Sequence, residues 1–257
     1  LMKGAGGIEV DCISCTGGLL TLNTVDGVPD DEGGLDVYAD APGFVVTNNG
    51  VFHVADQGAS INGTGVFVNA GNVQLTAEGG IGNVSQVKLA TASLAANNLT
   101  GGNVNLGIDT GGGPLLVSSL TNGAGNITLT HANGGSASYT GPVTTVNGFI
   151  TLTSLGAGDI SFGPCSGVSA GGGQSITITA NAIAIDGTIG TIGTGAVAFA
   201  SNNSIAGAGN VAANVVSFQT GGSGDVGSAG DPLEVCVNEI FTSSSGSNNS
   251  IFLASTS

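Results

Sequence analysis

The feature that most constrains this chain is a short pattern that keeps returning: a turn residue, then apolar, polar, apolar, polar. It occurs as Asn126-Ile-Thr-Leu-Thr130, Phe149-Ile-Thr-Leu-Thr153 and Ser175-Ile-Thr-Ile-Thr179. Looser copies are Asn72-Val-Gln-Leu-Thr76, Gly195-Ala-Val-Ala-Phe-Ala200, Val215-Val-Ser-Phe-Gln219 and Ser250-Ile-Phe-Leu-Ala254. Alternation with period two describes a strand with one buried face. From Asn126 onward the copies are spaced by roughly 18 to 26 residues, the length of one solenoid coil. Stacked coils would bring like onto like, with Ile127, Ile150 and Ile176 in one ladder and Leu129, Leu152 and Ile178 in another.

Gly-rich turns punctuate the strands at Gly79-Gly80, Gly101-Gly102, Asn133-Gly134-Gly135 and Asp186-Gly187. A β-sandwich or barrel would use the same turns. Three points favour a solenoid. The repeat varies in length but not in content, which suits one unit with variable corners. The apolar positions can form ladders. The composition, with 48 Gly, no Trp, 2 Tyr and 9 Phe in 257 residues, suits thin aliphatic layers. Helices are disfavoured, because each interior Gly costs about 1 kcal/mol relative to Ala.

The expected fold is therefore all-β, a parallel β-solenoid. With coils of about 23 residues it would have roughly 11 coils, each rising about 4.8 Å, and a length on the order of 50 Å. Residues 65–257 read as regular coils. Residues 1–64 read as irregular coils of the same continuous domain, interrupted by an acidic loop (Asp26, Asp30, Asp31, Glu32, Asp36 and Asp40) with Pro29 and Gly33-Gly34 as breakers. Open ends of such a stack are unpaired sheet edges. Residues 250–257 still read as a strand, so further chain or another molecule is expected to continue the stack.

Charge narrows the function. Lys3 and Lys88 are the only basic residues apart from His, against 17 Asp and Glu, and the net charge is -15. Nucleic-acid binding needs basic side chains to neutralise phosphate and is excluded. Electrostatic adhesion to an anionic membrane is excluded for the same reason. No run of 18 apolar residues exists, so no membrane-spanning helix is expected. The first residues carry no signal-peptide run, so any export signal is expected outside this chain. Four cysteines, Cys12, Cys15, Cys165 and Cys236, permit disulfides in three pairings that the sequence leaves open. The Cys12-Ile-Ser-Cys15 spacing alone does not make a zinc or redox site, since no second such pair or partnered His accompanies it.

The segment Gly224-Asp-Val-Gly-Ser-Ala-Gly-Asp-Pro-Leu-Glu-Val235 resembles the recurring unit of the filamentous-haemagglutinin and autotransporter-like β-strand-repeat proteins of bacteria. Gly79-Gly-Ile-Gly-Asn-Val-Ser-Gln-Val-Lys-Leu89 looks like a weaker copy. The likeness in style covers most of residues 65–257. It implies a right-handed parallel β-helix, export across a cell envelope, an extracellular or cell-surface location, and use as an adhesin, stalk or filament.

An enzyme is the weaker alternative. Glycoside hydrolysis needs paired carboxylates about 5 to 10 Å apart, and Asp159, Asp186 and Asp225 are widely spaced. Cleavage of anionic polysaccharide calls for Arg or Lys, and Arg is absent. Thr128 and Thr130, Thr151 and Thr153, and Thr177 and Thr179 would form an outward Thr array, resembling the surface of ice-binding solenoids. The array breaks at Ala198 and Ala200, then Ser217 and Gln219, and Thr is in any case favoured on exposed strands. The acidic loop could take calcium but lacks a calcium motif. His53 and His131 read as passive. The Asn-x-Ser/Thr sequences, such as Asn62-Gly-Thr64 and Asn83-Val-Ser85, are no more than this composition yields. The expectation is thus a structural element with no catalytic residue, cofactor or metal site. Its partner is itself, by end-to-end stacking, or a cell-surface or matrix component.

Overall fold

The computed structural model describes residues 71–77, 79–82, 86–246 and 249–255 in full. Before residue 71 it describes the strands Ser14–Cys15, Leu19–Thr24, Leu35–Tyr38, Val45–Asp56, Ser60–Thr64 and the start of Phe67–Ala77 as backbone. The described residues contain strands and turns and no helix.

The chain is a parallel β-solenoid. Among the described residues, all 25 strands join one sheet, and every strand pairing in it is parallel. A middle coil has three short strands, as in Ile127–His131, Ala137–Tyr139 and Val143–Thr145, each pairing with its counterpart one coil later. The first ladder runs Val104, Ile127, Ile150, Ile176, Val197, Val216, Ile240, so successive coils take 23, 23, 26, 21, 19 and 24 residues. Strand content is fixed and corner length varies, as the sequence pattern requires.

The solenoid has about eight turns, not the roughly 11 expected. The expectation spread a uniform coil over the whole length, and the N-terminal strands depart from it: Leu20 pairs with Phe52, 32 residues on, and Phe52 with Val73, only 21 on. Part of the expected acidic loop is also a strand. Leu35–Tyr38 pairs with Ser60–Thr64, placing Asp36 beside Asn62. The β-branched and aromatic residues Val37 and Tyr38 suit a strand better than a turn. Asp26, Asp30, Asp31, Glu32 and Asp40 lie outside the described residues.

The core is a column of single-residue files. Ile127, Leu129, Ile150, Leu152, Ile176 and Ile178 are all fully buried. The second face files Leu115, Ala137, Ile160, Ile183 and Ile205, with Val117, Tyr139, Phe162 and Ile185 beside them. The third files Leu120, Val143, Val168, Ile189, Val211 and Val235. Aromatic residues sit on one another where they occur: Tyr139 on Phe162 at 5.1 Å and Phe199 on Phe218 at 5.4 Å between ring centroids. Offset stacking at these distances is favourable and adds to area burial.

Corners that pass directly over one another demand glycine for space. A Cβ on Gly148 would strike the carbonyl oxygen of Gly125 in the coil below, and one on Gly141 that of Ser118. Leu152→Ala is expected to lower unfolding stability by about 2 to 5 kcal/mol, because it leaves a cavity in a packed file. Thr151→Ala, one residue along and facing outward, is expected to cost under about 1 kcal/mol. Urea unfolding followed by far-UV circular dichroism checks the contrast.

Candidate functional site

Two kinds of polar group occur in the column: those that stitch coil to coil and those that face solvent. Asn and Asp often stand one residue before a strand, and there the side-chain oxygen accepts the backbone N–H of the equivalent residue one coil on. Asn103 accepts from Asn126 N at 2.9 Å, and Asp159 from Ala182 N at 3.0 Å. Asp225 accepts from Ser250 N at 2.6 Å, and Asn126 accepts from Phe149 N at 3.0 Å. Asn181 Nδ2 donates to Asp159, and Asn203 Nδ2 donates to Asn181 Oδ1. These brackets extend the backbone ladder around a corner where the chain leaves the sheet.

The carboxylates singled out in the sequence fall within this scheme. Asp159 and Asp225 each precede the first inward residue of a strand in the same file, Ile160 and Val226, with Ile183 and Ile205 between. That places them three coil steps apart, about 14 Å, beyond the separation of a glycosidase pair. Asp186 stands at the other end of its strand, where its oxygen lies 3.4 Å from Ala208 N. The structure therefore does not bring the three together. Among the described residues no group of three or more His, Cys, Asp or Glu converges. Cys165 and Cys236 are free and exposed. Cys12 and Asn83-Val-Ser85 lie outside the described residues, as do the side chains of Cys15, His53 and Asn62.

Inside the corners, buried amides take the place of apolar side chains. Asn98 Nδ2 donates to Asn122 Oδ1 at 2.8 Å, and Asn98 Oδ1 accepts from Gly80 N at 2.9 Å. Asn122 Nδ2 donates to the carbonyls of Gly102 and Asn126. In the next coil Thr145 takes over and donates to Gly125 O at 2.8 Å. A corner carbonyl turned inward needs such a donor, because an unpaired buried one is costly.

His131 occupies another such corner, in the file of Ile108 and Ser154, and is fully buried. Its Nε2 lies 2.8 Å from Thr110 Oγ1. The Thr110 hydroxyl spends its proton on Gly113 O, so it accepts from His131, which fixes the neutral ring with the proton on Nε2. Burial pushes the His131 pKa below its usual value, against the pull of the Asp109 carboxylate and the Gly135 backbone. Asp109 is held low by the Gly111 backbone N–H and by Asn133. Burial pushes the Tyr139 phenol upward. His131 stands two residues after Leu129, in step with the inward alternation of Ile127 and Leu129, but a polar side chain at the end of the run did not mark it as interior.

The outward Thr array forms as the alternation predicts. Thr128, Thr151 and Thr177 align in one file and Thr130, Thr153 and Thr179 in the next. The files continue as Ala198, Ser217 and Phe241, and as Ala200, Gln219 and Ser243. The loss of side-chain bulk at Ala198, Ala200 and Ser217 opens two adjoining depressions of about 310 and 330 Å³ on this face. The break in the array was visible in the sequence, but the walls of the trough were not, since they come from different coils.

The buried His131 carries a pH dependence. Its folded pKa lies below the unfolded value of about 6.5, so the unfolded chain binds the proton first. Stability should fall as pH drops through that value toward the folded pKa. His131→Ser, the residue its neighbouring coil already uses, is expected to flatten the unfolding midpoint between about pH 7 and pH 5, a window in which carboxylates stay ionised. Thermal melts across that range would read it.

Known protein families, curated proteins and solved structures were compared with this chain, and none matches.

Proposed function

We propose that this chain is a structural rod, a segment of an extracellular or cell-surface stalk, adhesin or filament. The observation that carries this reading is the continuous parallel pairing that places all 25 described strands in one sheet. Parallel ladders bond coil to coil, and Asn or Asp brackets several of the described corners, so extension along the axis must break many hydrogen bonds together. The polar groups of the corners are spent on coil-to-coil contacts, which suits a load-bearing element. The net charge of -15 keeps such rods apart laterally and favours solubility. The Gly224–Val235 unit, with its likeness to bacterial β-strand-repeat surface proteins, supports the same reading.

A second reading is a filament subunit that stacks end to end. It is favoured by the edge at Glu239–Ser244. Leu253–Ser255 pairs only with Leu233–Val235, and among the described residues no further strand covers the rest of that edge. Ile240 continues the inward file of Val216 yet is 43% exposed. An open edge with an uncovered apolar file accepts another strand, from further chain or from a second copy.

Electron microscopy of the purified chain at rising concentration, with and without calcium, tests both. Discrete short rods at every concentration are expected for a stalk or adhesin segment. Fibres of uniform width that lengthen with concentration would make it a filament subunit. Compact particles without elongation would overturn the structural-rod reading altogether.

A further inference from the structure

We infer that the trough on the Thr face is a binding site for a neutral glycan chain. The inference rests on the adhesive form of the proposed function and names its ligand class. The floor is made of the small side chains Ala198, Ala200 and Ser217, with Ala180 at the corner. One end is closed by Phe241, which points outward from the last full strand of this face and is 57% exposed. The other end is closed by Leu155, also exposed. Along the strands the trough is continuous, because Ala200 and Gln219 line both depressions.

The chemistry of the lining selects the ligand. Thr177, Thr179, Ser217, Gln219, Asn202 and Ser243 offer hydroxyls and amides, groups that both donate and accept. A polyhydroxylated chain matches them in both senses. Phe241 adds an exposed aromatic face, which suits the apolar side of a sugar ring. No charged side chain lines either depression. In a chain of net charge -15 with two lysines, anionic glycans and nucleic acid are repelled. The neutral lining gives a cation nothing to pair with. From Thr177 to Phe241 the trough crosses three coil steps, about 14 Å, enough to seat a chain running across the strands, along the solenoid axis, rather than a single ring.

The bulk pattern of the files is the second support. Thr fills both outward files in the three coils before Ala198 and Ala200, after Asn105 and Gly107 in the coil before those, and bulk returns at Gln219 and Phe241. Ala198 and Ala200 are outward residues of a strand, where β-branched or polar side chains are the favoured occupants, so their shortness makes room rather than stabilising the sheet.

The experiment is titration of the full chain with cellohexaose, mannohexaose and chitohexaose, read by backbone amide NMR shifts. At least one is expected to bind at concentrations up to about 10 mM, with the shifts centred on Ala198, Ala200 and Gln219. Phe241→Ala should weaken that binding about tenfold or more, and Ala200→Phe, which fills the floor, should abolish it. Leu116→Ala, an exposed apolar residue on another face, should leave it unchanged. Binding by none of the three, or binding that survives both trough variants with shifts elsewhere, overturns the inference. Neither result bears on the rod, whose test is the shape of the particle.

Discussion

Everything in this molecule depends on the in-register parallel hydrogen-bond ladder between one coil and the next. Parallel register places each residue above its own counterpart, so a choice made once is repeated along the axis. Inward files become columns of Ile, Leu and Val, and two aromatic pairs meet because Tyr139 and Phe162, then Phe199 and Phe218, occupy equivalent positions. No coil could bury its apolar face alone. Stability is a nearest-neighbour property, as in other repeat architectures. A thin column leaves no wide interior for large side chains, which accounts for a core with hardly any aromatic content.

The same register creates the central difficulty, which is the corner. There the chain turns out of the sheet, and backbone groups lose their regular partners. The structure answers with three devices. Glycine allows one corner to pass tightly over another, as at Gly148 over Gly125. An Asn or Asp before a strand accepts the N–H of the coil above, as at Asn103, Asp159 and Asp225. A buried Asn, Thr or His satisfies carbonyls that face inward, as at Asn98, Asn122 and Thr145. The high Gly and Asn content is thus a consequence of corner chemistry, and so is the placement of several acidic residues that an enzyme reading would have examined for catalysis.

The parts of this design that repeat were legible in the sequence. Ile127, Ile150 and Ile176 could be aligned because each begins the same alternating run, and the pairings place them in one file. The break of the Thr array at Ala198 and Ala200 was legible for the same reason. What did not repeat was hidden. The 32-residue step from Leu20 to Phe52 obeys no period, and the strand Leu35–Tyr38 looked like part of an acidic loop because its flanks are Pro, Gly and Asp. His131 takes a corner position that neighbouring coils give to Ile108 and Ser154, so no single residue type marks it. The Asx brackets were half visible: Asn126 was read as a turn residue, while its bond to the next coil needed the fold.

The trough shows how such a scaffold can acquire a site. Inward positions are tied to their neighbours by packing, and corner positions by hydrogen bonds, so neither can change in one coil without strain in the next. Outward positions on the strands are the exception. Their side chains meet solvent, and a change from Thr to Ala at 198 or 200 alters the relief of the face without disturbing the ladder beneath it. Relief is therefore the one variable that can differ from coil to coil at little cost in stability. In the proposed reading, a rod built this way would carry recognition as local departures from its own repeat, and the place where the Thr array fails is where its surface differs most from that repeat.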